Sequence, residues 1–123
     1  MTEQEILKNR TKQFAIRIVK LFRALPKTDE ARIIGKQVMR SGTSIAANYR
    51  AVCRARSNAE FISKIGIVVE EADETVFWLE LLVEPEIISI QKMESLINEA
   101  NELLAVFAAS QITAKTNSPK YKK

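Results

Sequence analysis

Ser57-Asn58-Ala59-Glu60-Phe61-Ile62-Ser63-Lys64-Ile65, running on to Val83-Glu84-Pro85, decides the fold of this 123-residue chain. Ser57 followed three residues later by Glu60 has the form of a capping box, in which serine oxygen and glutamate carboxylate each satisfy an N–H at one helix start. From there Phe61, Ile65, Val68, Ala72, Val76, Leu79 and Val83 recur at spacings of three and four, the repeat of one helix face, until Glu84 and Pro85 end it.

The rest of the chain follows the same pattern. Prolines fall only at 26, 85 and 119, and the intervals between them are apolar-periodic and poor in glycine. A first helix is predicted from about Gln4 to Leu25, with Leu7, Phe14, Ile18, Leu21, Phe22 and Leu25 on one side and Pro26 as its stop. A second begins at Thr28 or Asp29, with Asp29 and Glu30 at the positive end of its dipole, and reaches about Arg56. Ser89 is the expected cap of a fourth, which turns Met93, Leu96, Ile97, Ala100, Leu103, Leu104 and Phe107 inward. Four amphipathic helices with short loops predict an all-α, antiparallel up-and-down four-helix bundle. Residues 1–113 are expected to form that domain and residues 114–123 a flexible basic tail.

Charge divides the chain in two. Residues 1–56 hold thirteen Lys/Arg against four Asp/Glu, and residues 57–113 hold two against eleven, so +9 is followed by −9. Four lysines after residue 113 bring the total to the observed +4. Such asymmetry points to a charged partner, a nucleic acid, or a self-complementary assembly. On the second helix Arg32, Lys36, Arg40, Arg50 and Arg54 fall within about 80° of one another, a stripe about 33 Å long that can follow a phosphate backbone. Lys12, Lys20 and Arg23 cluster, with Lys8 and Lys27, opposite the apolar side of the first helix. The competing readings are an ordinary solvated face, or neutralisation by the two acidic helices within a bundle or between subunits.

Catalysis finds little support. The chain has no histidine, which removes the commonest general base and the Glu-x-x-His ligands of di-iron bundles. Glu70, Glu71, Asp73 and Glu74 point in different directions around one helix and do not make a cation site. No catalytic residue, metal or cofactor is therefore expected, and the lone Cys53 reads as an inert thiol. The absence of a signal-like or membrane-length apolar run, with a single cysteine, predicts a soluble cytoplasmic protein without a membrane role.

The third helix is apolar around much of its circumference. Ile67, Trp78, Leu81 and Leu82 lie off its core line, rimmed by acids, and make a candidate subunit contact with Ile16 and Val19 as counterpart. Trp78 closing the core is the alternative. Ser41 to Asn48 is dense in small residues, which allows close helix approach and a kink at Gly42; Asn48 suits either a helix interface or RNA.

Arg40-Ser41-Gly42-Thr43-Ser44-Ile45-Ala46-Ala47-Asn48, then Arg54, Glu60-Phe61-Ile62, Glu71-Ala72 and Phe77-Trp78-Leu79, resemble the four-helix bundle proteins encoded in 23S ribosomal RNA intervening sequences. The resemblance spans roughly residues 10 to 108 and implies a ring-like homopentamer. A related branch, the accessory proteins of diversity-generating retroelements, is similarly basic and pentameric and binds nucleic acid beside a reverse transcriptase, which makes such an enzyme or another protein an expected partner. Ala51 and Val52 stand where many relatives carry a Glu-Gly pair, so no role of that pair carries over. Two functions remain open: an oligomeric module binding RNA or another nucleic acid, and a protein-interaction scaffold whose charged faces meet one another or a protein partner.

Overall fold

The computed structural model describes residues 1–119 and places four helices in sequence order: α1 (Glu3–Ala24), α2 (Asp29–Cys53), α3 (Asn58–Val83) and α4 (Ile90–Thr116). Each helix packs on the next, and α1 meets α4 over a smaller area to close the bundle. Connections of a few residues force consecutive helices to run antiparallel.

Local chemistry accounts for the helix starts. Thr2 accepts from the Glu5 amide at 3.1 Å while Glu5 accepts from the Thr2 amide at 2.9 Å, a complete capping box that places the start of α1 one residue before the expected Gln4. Thr28, not Asp29, caps α2 by accepting from Ala31. Ser57 accepts from Glu60 at 3.1 Å, but the Glu60 carboxylate reaches the Arg56 amide, at 3.3 Å, so the box closes one residue further back than expected. Ser89 occupies the cap position of α4 without a side-chain bond to it. Helix α2 stops at Cys53, short of Arg56.

Between α3 and α4 the chain turns through Glu86, which has φ 63°, a left-handed conformation that costs a non-glycine residue about 1–2 kcal/mol. Amides of Glu86 and Ile88 bond back to the carbonyls of Val83 and Leu82, both at 2.9 Å, and so hold the turn.

The core runs along the bundle axis, where Phe14, Ile18, Ile45, Ile65, Leu79 and Phe107 are almost wholly excluded from solvent. Helix α3 is packed by both α2 and α4, so its buried arc is wider than a single seam. Ile62, Thr75 and Leu82 join it, while Phe61 and Val83, expected inside, are half-buried. Ile34, Ile97 and Leu104 are likewise half-buried rather than fully inside.

The small residues of α2 permit close approach on two sides. A Cβ on Gly42 would lie 2.8 Å from Ile18 Cγ1, so α1 sits as near as it does because position 42 has no side chain. On the other side Thr75 Oγ1 of α3 lies 2.9 Å from Ser41 Oγ, whose own hydrogen goes to the Gln37 carbonyl at 3.0 Å. The hydroxyls of Thr43 and Ser44 bond back to Met39 and Arg40 within an unbroken helix, so the segment is a packing surface.

Residues 114–116, expected in a tail, continue α4. Ala114 is buried, and its carbonyl accepts from Asn58 at 3.3 Å, which docks this end of α4 on the start of α3. The lysines expected at 120, 122 and 123 lie outside the described residues.

Candidate nucleic-acid interface

Helices α1 and α2 are neighbours, so their basic sides form one layer of the bundle, opposite a layer made by the acidic α3 and α4. Lys12, Lys20 and Arg23 of α1 and Arg32, Lys36 and Arg50 of α2 are exposed, as is Arg54 at the end of α2. Among the described residues, Lys12, Lys20, Arg23, Lys36, Arg50 and Arg54 have no carboxylate within 4.0 Å. Arg32 has one partner, Asp29 at 3.6 Å, and both side chains are open to water, where such a pair is worth little. The two basic faces meet at the α1–α2 turn, where Lys27, Arg32 and Lys36 line one cleft.

Arg40 departs from the stripe. It leans to the α3 side, where its guanidinium pairs with Glu74 and with Glu71 at 3.3 Å. The hydrogen bond to Glu74 holds the guanidinium above its ordinary range, and so in the charged state. Trp78 Nε1–H also donates to Glu74, at 3.1 Å, and the Trp78 and Arg40 bonds together hold that carboxyl below the usual glutamate value. Arg40 therefore bridges α2 and α3, which sets it apart from the unpaired cations of the stripe, while its side chain stays 47% exposed. Arg10 does the same between α1 and α4: its fork grips Glu99 at 2.7 and 3.2 Å and reaches Glu102 at 3.4 Å. A helical wheel shows which way a side chain points but not which neighbour lies there, which is why neither bridge was visible in the sequence.

Two basic residues missed by the stripe stand near its far end. Arg54, Arg56 and Lys64 surround a cleft of about 300 Å³ with Glu60 and Ala51 at the α2–α3 connection. Lys64 is one of two basic residues among fifty-seven between 57 and 113, and only the fold brings it beside Arg54. Asn48 donates to the Ser44 carbonyl of its own helix at 2.9 Å, so its amide is engaged locally.

The residues assigned to a subunit contact separate into groups. Leu82 is fully buried in the core, because α3 turns that position toward its neighbours, and it is removed from the set. Val19, Trp78 and Leu81 are half-buried, and Trp78 packs against the core edge. Ile16 is 38% exposed and Ile67 42%. Phe77, which sequence reasoning passed over as part of a motif, is 52% exposed, its ring 5.0 Å from that of Trp78 in an edge-on arrangement.

Cys53 is a half-buried free thiol. Its neighbour Tyr49 is buried against Phe107, ring centroids 5.1 Å apart, and burial raises the Tyr49 hydroxyl above its ordinary value. Among the described residues no cluster of three or more Cys, Asp or Glu is placed to hold a metal ion, and no helix is long and apolar enough to cross a membrane.

Known proteins locate this arrangement within a family. No curated protein matches the chain. A crystal structure of a protein of unknown function from the S23 ribosomal protein family of Bacteroides thetaiotaomicron is 37% identical, with a TM-score of 0.82 over 89% of this chain and 98% of that one. The family model described as 23S rRNA-intervening sequence protein matches residues 3–109, nearly the whole of the four helices. The chain therefore belongs to the 23S rRNA-intervening sequence protein family.

Proposed function

We propose that this protein is a non-catalytic, homo-oligomeric nucleic-acid-binding protein that takes structured RNA on the basic layer formed by α1 and α2. The observation that carries the reading is that six cations on these two adjacent helices, Lys12, Lys20, Arg23, Lys36, Arg50 and Arg54, lack a carboxylate partner among the described residues. Had the acidic half served to neutralise the basic half, these side chains would resemble Arg10 and Arg40. The family's description, which names an intervening sequence of ribosomal RNA, favours RNA over DNA. Phosphate contacts of this kind position a backbone without reading bases, so sequence preference is weak and salt dependence steep. Assembly into a ring, five-membered by the resemblance, repeats a weak site and raises avidity.

The test is fluorescence anisotropy of a labelled RNA hairpin across a series of salt concentrations. Arg32→Glu/Lys36→Glu and Lys12→Glu/Arg23→Glu are expected to weaken binding and flatten the log–log salt slope by about 0.7–0.9 per lost contact. Arg40 is left intact, because Arg40→Glu would face Glu71 and Glu74 and would test folding instead. Unchanged affinity and slope in both variants overturns the reading.

Phe77 and Ile67, exposed on the acidic helix, favour a second reading, in which the charged faces join copies or a protein partner and RNA is irrelevant. Size-exclusion chromatography separates the two. Dissociation of the oligomer at high salt supports the scaffold, whereas survival supports an apolar contact that leaves the basic layer free.

A further inference from the structure

The α1–α2 turn carries a feature that backbone tracking does not use. Phe22, Leu25 and Pro26 form an apolar wall, and Lys27, Arg32 and Lys36 stand around it, enclosing a cleft of about 200 Å³. Phe22 is half-buried, and Pro26 and the three cations are exposed. The wall is set by a glycine beneath it. A Cβ on Gly35 would lie 2.5 Å from Leu25 Cδ1 and 3.3–3.4 Å from the Cδ2–Cε2 edge of Phe22, so the missing side chain lets both seat against α2. Lys27 and Lys36 have no carboxylate within 4.0 Å among the described residues, and Arg32 has only the exposed Asp29.

We infer that this cleft receives a single unpaired nucleotide of the RNA, its base against Phe22 and Pro26 and its flanking phosphates on Lys27, Arg32 and Lys36. The inference rests on the RNA-binding reading and narrows its ligand to structured RNA with an extruded base. Cations alone would serve continuous duplex, and an apolar wall alone would serve a hydrocarbon. The two together match the amphipathic nucleotide, whose flat base stacks on aromatic and apolar side chains while its phosphates seek positive charge. The cleft is smaller than the roughly 300–1,000 Å³ of drug-sized ligand sites, which suits one base and excludes a paired step. Within a duplex the base faces are already stacked on one another, so only a bulged or loop nucleotide can enter.

The experiment compares two labelled RNAs of equal length by anisotropy: a continuous duplex, and the same duplex with one bulged nucleotide. A stacked base is worth about 1–3 kcal/mol, so the wild-type protein is expected to prefer the bulged RNA by about 5- to 150-fold. Phe22→Leu keeps an apolar side chain of similar size and removes the ring. It is expected to abolish the preference while leaving duplex affinity unchanged. A second measurement needs no variant: 5-iodouridine at the bulge is expected to photocrosslink to the peptide containing Phe22. Duplex binding without preference and without that crosslink overturns the inference and leaves the RNA-binding reading standing. Failure to bind either RNA at low salt overturns both.

Discussion

Replacing Gly42 with alanine puts two physical effects in opposition, and the structure says which wins. Glycine in a helix interior is about 1 kcal/mol less favourable than alanine, so propensity alone predicts that Gly42→Ala stabilises the protein. The added methyl, however, would lie 2.8, 3.1 and 3.2 Å from Ile18 Cγ1, Cγ2 and Cδ1. Ile18 is 0% exposed, so its side chain cannot give way by swinging out into solvent. Overpacking a core by one such group costs about 1–3 kcal/mol, and subtracting the propensity gain leaves a net loss of about 1 kcal/mol. For a chain of 123 residues that lowers Tm by about 3–5 °C. The Ile18→Ala background removes the three atoms nearest the added methyl, at its own cost of about 2–5 kcal/mol. On that background Gly42→Ala is expected to stabilise by about 1 kcal/mol, a reversal of sign and a coupling of about 2 kcal/mol. Urea denaturation followed by circular dichroism, at one fixed protein concentration, measures all four corners of the cycle. Stabilisation by Gly42→Ala in the wild-type background, or the same effect in both, refutes close approach at this position as the reason for glycine.

Three further outcomes follow from local geometry. Trp78 is the only tryptophan, and its indole donates to Glu74, so its emission is expected to titrate with a midpoint below the ordinary glutamate value of 4.5. Because the folded carboxyl is held below its unfolded value, the pair contributes stability above that value and loses it as pH falls through the folded one. Glu74→Gln should erase the titration, and an emission midpoint at or above 4.5 contradicts the assignment. Glu86→Gly relieves a left-handed residue and is expected to raise stability by up to about 1 kcal/mol in thermal melts; a lower Tm would show that the Glu86 side chain does more than tolerate the turn. Arg10→Ala removes the fork on Glu99, whose side chain is 23% exposed, and is expected to cost about 1 kcal/mol by urea denaturation. An unchanged midpoint would mean that the pair is fully screened.

The dipolar charge takes on meaning once the helix order is known. Because α1 and α2 adjoin, opposite α3 and α4, the +9 and −9 halves of the sequence become two faces of one body. Arg40 and Arg10 show where the faces touch, each drawn to a carboxylate of the neighbouring helix. Between those seams the outward side chains of Lys12, Lys20, Arg23, Lys36, Arg50 and Arg54 have no carboxylate within 4.0 Å among the described residues.

Helix positions and types were legible in the residues, since apolar spacing, Pro26, Pro85 and the caps at Thr28 and Ser57 act within a few residues of one another. The α1 and α2 basic faces were legible for the same reason, as wheel geometry is a local property. What needed the tertiary structure was every relation between helices. Leu82 looked like surplus apolar surface until two neighbours were found to cover α3, and Arg40 looked free until Glu74 stood beside it. Gly35 and Gly42 could be read only as small; their use, seating Leu25, Phe22 and Ile18, depends on side chains from another helix. The cleft at the α1–α2 turn draws Phe22 and Arg32 together across ten positions of sequence. Periodicity, capping and charge act over a few residues and are written in the chain, whereas which surfaces meet is decided by packing among all four helices at once.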